Sequence, residues 1–208
     1  MGQPPVREPV TKTQCASRKQ AYALEGAPHT VKLRKLEPGD IEAVHALISR
    51  MDVVRYMLLP LCSRTESEEF LRDSMLESPS SPWRSVVRAI IDCHDGEIAG
   101  LCGVAILRGA EEGELWYLVK PESWGKGIAS EAARQLLDVG FGELALHRIW
   151  ATCIPENPAS ARVLEKLGMR NEGFLVNNLK IHGVWKSSFL YAILAEEWTQ
   201  AGAKPSRA

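Results

Sequence analysis

The chain has 208 residues, a formal net charge of −1, 45% hydrophobic and 25% charged residues, which suits one sizeable globular domain rather than a disordered or fibrous chain. Near-zero charge with scattered Lys and Arg removes the electrostatic footprint of a nucleic-acid or anionic-membrane binder, and no run approaches the roughly 18 apolar residues of a membrane span. The five cysteines, Cys15, Cys62, Cys93, Cys102 and Cys153, lack CxxC spacing, so neither a disulfide framework nor a metal site is expected. With no apolar signal core at its start, the sequence reads as a cytoplasmic enzyme or binding protein.

In chain order, residues 1–29 are polar and without sustained periodicity and are expected to form a flexible arm; a domain spans 30–198 and a tail 199–208. Val31 to Leu36 alternates as a strand, and Pro38-Gly39-Asp40 opens a helix with Ile41, Val44, His45 and Ile48 on one side. A second helix follows Ser63-Arg64-Thr65, its acidic first turn matching the positive end of the dipole. Three strands in a meander come next, at Ser85 to Ile91, Ile98 to Leu107 and Glu114 to Lys120, joined by turns at Asp95-Gly96 and Gly109 to Gly113. The apolar period near 3.6 of Ile128, Ala129, Ala132, Ala133, Leu136, Leu137 and Phe141 predicts a helix. Its crossover makes the strand Arg148 to Ile154 parallel to Glu114 to Lys120. A helix over 158–167 has Asn157 as N-cap, Pro158 at its first position and Gly168 past its end. Strands near 172–180 and 184–194 meet at His182-Gly183. The fold class is α/β with a mixed, mostly antiparallel sheet of about seven strands and helices on its faces, and a ligand crevice is expected where the parallel pair separates.

Between the third meander strand and its helix stands Trp124-Gly125-Lys126-Gly127-Ile128-Ala129-Ser130-Glu131-Ala132. Gly125 and Gly127 can take positive φ, and free N–H groups at the helix start attract an anion. No P-loop string is present. A dinucleotide fingerprint fails too, because Ser130 stands where a third glycine is needed and no acid lies about 20 residues on. A pyrophosphate without a nicotinamide ribose contact remains, for which coenzyme A is the obvious candidate; an ordinary strand-to-helix turn is the plain alternative.

The strings Glu114-Leu115-Trp116-Tyr117-Leu118-Val119-Lys120-Pro121, Trp124 to Ala132, Asn157-Pro158-Ala159-Ser160-Ala161 with Leu164 to Met169, and Glu172-Gly173 occur in the order of the GNAT acetyltransferases. Over about 31–198 the sequence resembles that family, and within it the RimJ/RimL-like branch. The resemblance implies the GNAT fold, acetyl-CoA as donor and direct attack by a primary amine, a protein N-terminus or a small molecule. It implies that backbone N–H groups of Trp124, Gly125, Lys126, Gly127, Ile128, Ala129 and Ser130 cradle the pyrophosphate, with the Lys126 charge at the rim. The open edge at Tyr117, Leu118 and Val119 would pair with the pantetheine arm, and Asn157 would hydrogen-bond the same arm.

For the chemistry, Ser160 falls on the inward face of its helix, with two partners open to its hydroxyl: the Glu156 carbonyl or the leaving thiolate. Glu114 is the candidate acceptor of the amine proton, against a plain reading as a solvated strand-end carboxylate. Two departures fall near the acceptor: Leu179 stands where RimL-like enzymes place a carboxylate, and Ser187 where relatives carry Asp after the Trp185-Lys186 pair. A lysine-like amine is only about 0.04% neutral at pH 7 and an α-amine roughly 14%, so a site poor in acids suits the weaker base. His147 and His182 read as helix-exit and turn residues, Trp83, Trp116 and Trp185 as crevice or core, and Tyr191 is open. A non-catalytic acyl-CoA-binding sensor of the same fold stands as the alternative, and the oligomeric state is open, a homodimer included.

Overall fold

Seven strands form one sheet in the order β1-β2-β3-β4-β5-β7-β6: β1 Val31–Arg34, β2 Trp83–Asp92, β3 Ile98–Leu107, β4 Glu112–Val119, β5 Arg148–Cys153, β6 Arg170–Ile181 and β7 Val184–Leu194. The structure is a computed structural model that describes residues 30–76, 83–107 and 111–202. The expected arm at 1–29, Cys15, Gly109 and residues 203–208 lie outside the described residues, as does the side chain of Trp83. The helices are α1 Ile41–Ile48, α2 Met51–Val54, α3 Arg64–Met75, α4 Ile128–Asp138, α5 Pro158–Lys166 and α6 Ala195–Gly202.

Local chemistry sets the helix starts. Ser63 caps α3 by accepting from the Glu66 N–H, while the Glu66 carboxylate accepts from the Ser63 N–H at 2.7 Å, a reciprocal box. At α5 the Asn157 side-chain oxygen accepts from the Ser160 N–H at 3.1 Å, and Pro158 opens the helix. Two elements escape the periodicity analysis: the four-residue α2, and α6, which crosses the boundary drawn at 198. The helix expected to run through Phe141 is α-helical only to Asp138 and widens into a π-turn over Val139–Glu143.

Two cores lie on opposite faces of the sheet. Ile128, Ala132, Leu136 and Leu137 of α4 and Leu164 and Leu167 around α5 pack with Leu115 and Val119 on one face. Val44, Leu47, Ile48, Val54 and Leu71 of α1–α3 pack with Leu118 on the other. Alternation along β4 therefore sends Leu115, Tyr117 and Val119 to the α4/α5 face, and Trp116 and Leu118 to the α1–α3 face. Gly113 is not in a turn but inside β4, because a Cβ there would fall 2.4 Å from Val104 Cγ1.

The β4–β5 pair is parallel, as its crossover predicts, but only over Glu112↔Arg148, Gly113↔Ile149 and Glu114↔Trp150. Beyond Glu114 the two strands part. From Leu115 onward β4 pairs with β3 alone, while β5 continues along β7 to Cys153. At the sheet's far side the β6–β7 hairpin turns at His182-Gly183, both with positive φ, as a tight two-residue turn requires. His182 Nε2 lies 3.1 Å from the Val54 carbonyl oxygen, which ties the hairpin tip to α2.

Candidate active site

The parting strands open a cleft of about 230 Å³ at the level of Glu114. Its walls come from both faces of the sheet. Tyr117, Cys153, Asn157, Ser160 and Leu164 line the α4/α5 side, and Tyr56, Met57, Leu58, Leu59, Trp116, Leu179 and Ile181 line the other.

The loop before α4 has the backbone expected of it. Gly125 and Gly127 sit at φ 75° and 78°, the left-handed region where a side chain is strained, and a Cβ on Gly125 would meet nothing within 4 Å. Gly127 is the N-cap of α4 and contributes no side chain, so no side-chain hydrogen bond caps the first-turn N–H groups. Those N–H groups, the helix dipole and the exposed Lys126 suit a phosphate group. The fit belongs to the backbone: Ile128 is buried in the core, Ala129 and Ser130 are half-buried, and Leu118 and Val119 point into the two opposite cores. Trp124 is exposed, and its indole N–H donates to the Val119 carbonyl at 2.7 Å. The Val119 carbonyl oxygen on the expected edge thus already has one donor and keeps a second lone pair.

Ser160 and Tyr117 form the polar pair of the α5 side. Their hydroxyl oxygens are 2.9 Å apart, and the Tyr117 hydroxyl also donates toward the Ser160 carbonyl at 3.2 Å. Of the two partners open to Ser160, the Glu156 carbonyl is thus displaced by a phenol that β4 supplies from across the cleft. Burial pushes the Tyr117 phenol well above its ordinary value against the opposing effect of its bond to Ser160, so it stays protonated and can donate. Cys153, behind them, is held as a neutral thiol, mainly by burial. Asn157 lines the cleft while serving as N-cap.

Glu114 is the last paired residue of β4 before the strands part, half-buried, and its place in the alternation puts it on the α1–α3 side. Burial raises its carboxyl above the ordinary glutamate range, offset in part by a hydrogen bond with the Thr152 side chain. Glu114 is the only carboxylate among the described residues that line the cleft. Leu179, one of the two departures, faces that same space. Ser187 does not: its hydroxyl accepts from the Asn177 N–H at 3.0 Å within a bulge of β6. Of the remaining candidates, Trp116 lines the cleft, Trp185 lies exposed with Lys180 over its ring, and Tyr191 is a core residue. His147 is exposed after the π-turn, its backbone N–H donating to the Glu111 carbonyl.

Residues 30–170 match the acetyltransferase (GNAT) domain family. The chain belongs to the GNAT acetyltransferases. It is similar to an uncharacterised N-acetyltransferase of Bacillus subtilis, 34% identical over 80% of this chain and 94% of that one. It is also similar to the spermidine N(1)-acetyltransferase of Escherichia coli, 31% identical over 86% and 94%. Among solved structures, the spermidine N-acetyltransferase of Vibrio cholerae in complex with CoA and spermine superposes with a TM-score of 0.70, at 26% identity over 81% of this chain and 98% of that one. The GNAT fold with its seven-stranded mixed sheet is thereby the fold of this protein. Among the described residues no helix is long and apolar enough to cross a membrane.

Proposed function

We propose that this GNAT protein is an acetyl-CoA-dependent N-acetyltransferase that acetylates a primary amine by direct attack, without an acyl-enzyme, with residues 30–198 as its catalytic domain. The observation that carries the reading is the parting of the parallel pair at Glu114, which sets a half-buried carboxylate against one end of the cleft and the Ser160–Tyr117 pair against the other. When bound, acetyl-CoA supplies the acyl group; the N–H groups from Gly125 to Ser130 would hold its pyrophosphate, without that of Trp124, which donates to the Pro121 carbonyl at 3.0 Å, and the edge at Tyr117, Leu118 and Val119 with Asn157 would take its amide-bearing arm.

Glu114 accepts the proton of the incoming ammonium, directly or through one water. Its raised pKa brings it nearer the pKa of an amine and makes it a better base than an exposed glutamate. The free amine attacks the carbonyl carbon, the C–S bond breaks, and the Ser160 hydroxyl donates to sulfur as charge gathers there. Either hydroxyl can donate in the Tyr117–Ser160 pair; when the phenol turns its one proton from the Ser160 carbonyl to Ser160 Oγ, the serine proton is left free for that purpose. The nitrogen loses two protons on becoming an amide: the first passes through Glu114 to solvent, and the second, shed by the adduct after attack, makes good the proton that Ser160 gives to sulfur, so ammonium and thioester become amide, thiol and one proton.

Ser160 after Asn157-Pro158 supports the RimJ/RimL-like branch, and a cytoplasmic setting with an amine-bearing small molecule or protein N-terminus belongs to the same reading. The acceptors in the names of the E. coli and V. cholerae relatives support small amines. Thiol release from acetyl-CoA across a panel of α-amino peptides, alkyl amines and polyamines tests the assignment. Turnover with any of them supports it. Acetyl-CoA binding with no release across the whole panel would replace the enzyme by an acyl-CoA sensor.

A further inference from the structure

The acceptor side of the cleft is mostly apolar and carries a single carboxylate among its described lining residues. Met57, Leu58 and Leu59 arrive on the segment between α2 and α3, Trp116 stands on β4, and Leu179 and Ile181 come from β6. Polar character on this side comes from Glu114, the Thr152 hydroxyl and the phenol of Tyr56. The Arg55 guanidinium lies 5.1 Å from the centre of the Tyr56 ring, so the charge next to this wall is positive. Among the described lining residues, a first ammonium meets a carboxylate and a second would meet none. A charge taken out of water without a partner is disfavoured strongly, whereas an alkyl or aromatic group loses little beside leucine, methionine and tryptophan and gains by leaving water.

From this we infer that the acceptor is a monoamine: one primary amine on an apolar body, not a polyamine. The inference rests on the acetyltransferase reading and narrows it. It departs from the acceptors named for the spermidine acetyltransferases to which the chain is similar, and the departure is carried by Leu179, an apolar side chain at the wall where a second cation would need an acid. Shape and charge act together here. The wall rewards apolar contact next to the nitrogen, and Glu114 is already engaged by the reacting amine, so it cannot serve a distal ammonium as well.

Hexylamine and 1,6-diaminohexane separate the possibilities, because they share one chain and differ by an ammonium at the far end. With the full-length protein and acetyl-CoA at pH 8, kcat/KM for hexylamine is expected to exceed that for the diamine at least tenfold, despite the diamine's two equivalent amines. Spermidine should fall with the diamine. The L179E variant should raise the diamine's kcat/KM and lower that of hexylamine, with circular dichroism reporting that the variant is folded. Equal or better turnover of the diamine or spermidine by the wild-type protein overturns the inference while leaving the enzyme assignment standing. Thiol release with no amine in the panel overturns the assignment and the inference with it. The wild-type comparison decides the matter even if L179E does not fold.

Discussion

The two faces of the sheet around the cleft are built on different physical principles. On the α4/α5 face the contacts proposed for the pyrophosphate and the pantetheine arm are mainly with backbone: a left-handed glycine pair, the uncapped start of α4 and the edge of β4. On the α1–α3 face they come from side chains gathered from four separate stretches, 56–59, β4, β5 and β6. Backbone recognition depends on a few local residues and tolerates change elsewhere; side-chain recognition can be altered at single positions without touching the coenzyme. The division fits an enzyme that keeps one donor and varies its acceptor.

Changes that test this division should differ in size and in kind. The largest effect is expected from Glu114→Gln, which removes the base: kcat/KM for the amine should fall by about 10²-fold or more at pH 6 and recover as rising pH deprotonates the amine itself. In the wild-type protein the acid limb of the rate profile should lie above the range of an ordinary glutamate, because burial raises this carboxyl. A constant ratio of variant to wild-type rate between pH 6 and 9 would return Glu114 to a structural role. Ser160→Ala comes next. It should lower kcat by ~10²-fold with acetyl-CoA affinity unchanged, since its bond to sulfur strengthens only as charge develops there. Unchanged kcat would leave Ser160 as the partner of Tyr117 and nothing more.

On the coenzyme face, Gly127→Val should weaken acetyl-CoA binding at least tenfold, about 1.4 kcal/mol, by calorimetry. Valine is also strained at φ 78°, so Gly168→Val, at the same φ after α5, serves as the control; it should share the loss of stability and keep the affinity. Equal affinity loss in both variants would remove the loop from the site. Tyr117→Phe should cost about fivefold in kcat, the worth of one hydrogen bond near 1 kcal/mol, and should cost almost nothing further in the Ser160→Ala background. Additive losses would mean that the phenol acts apart from Ser160. The smallest effect concerns stability. The folded-state pKa of Glu114 is raised above its unfolded value, so its favourable contribution holds at low pH and is lost as pH rises through the folded pKa. Glu114→Gln should therefore raise the melting temperature at pH 7 by a few degrees, at roughly 2–4 °C per kcal/mol, and leave it unchanged near pH 4.

The sequence disclosed these two faces unequally, for the same reason. The glycine spacing before an amphipathic run and the Asn157-Pro158 helix start are local signals, and the structure places α4, α5 and the positive-φ glycines where they predict. The parallel pairing was legible from one crossover, but its end at Glu114 was not, because where two strands part depends on side chains from other elements. Tyr117 shows a signal that was present and underused. A tyrosine alternating toward the inward face of a strand needs a partner for its hydroxyl, and Ser160 was already facing inward. The wall at 56–59 carried no such signal, since its residues follow no strand or helix period. The four-residue α2 is too short to show one.

The bulge in β6 bears on how such an acceptor wall can change over generations. Between the paired positions Leu175↔Ser188 and Leu179↔Lys186, β6 advances four residues while β7 advances two, and Asn177 takes φ 45° to absorb the difference. The surplus is even, so the alternation on either side of it stays in phase and Leu179 and Ile181 keep their faces. Lengthening or shortening by two residues preserves that phase, whereas a single-residue insertion brings Asn178 and Lys180, and a single-residue deletion Lys180 and His182, to the places of Leu179 and Ile181 unless the bulge re-forms. Inheritance at this spot is thus digital. Where the bulge does not re-form, one lost codon swaps an oily lining for a cationic one in a single step, while a pair of lost codons keeps the phase.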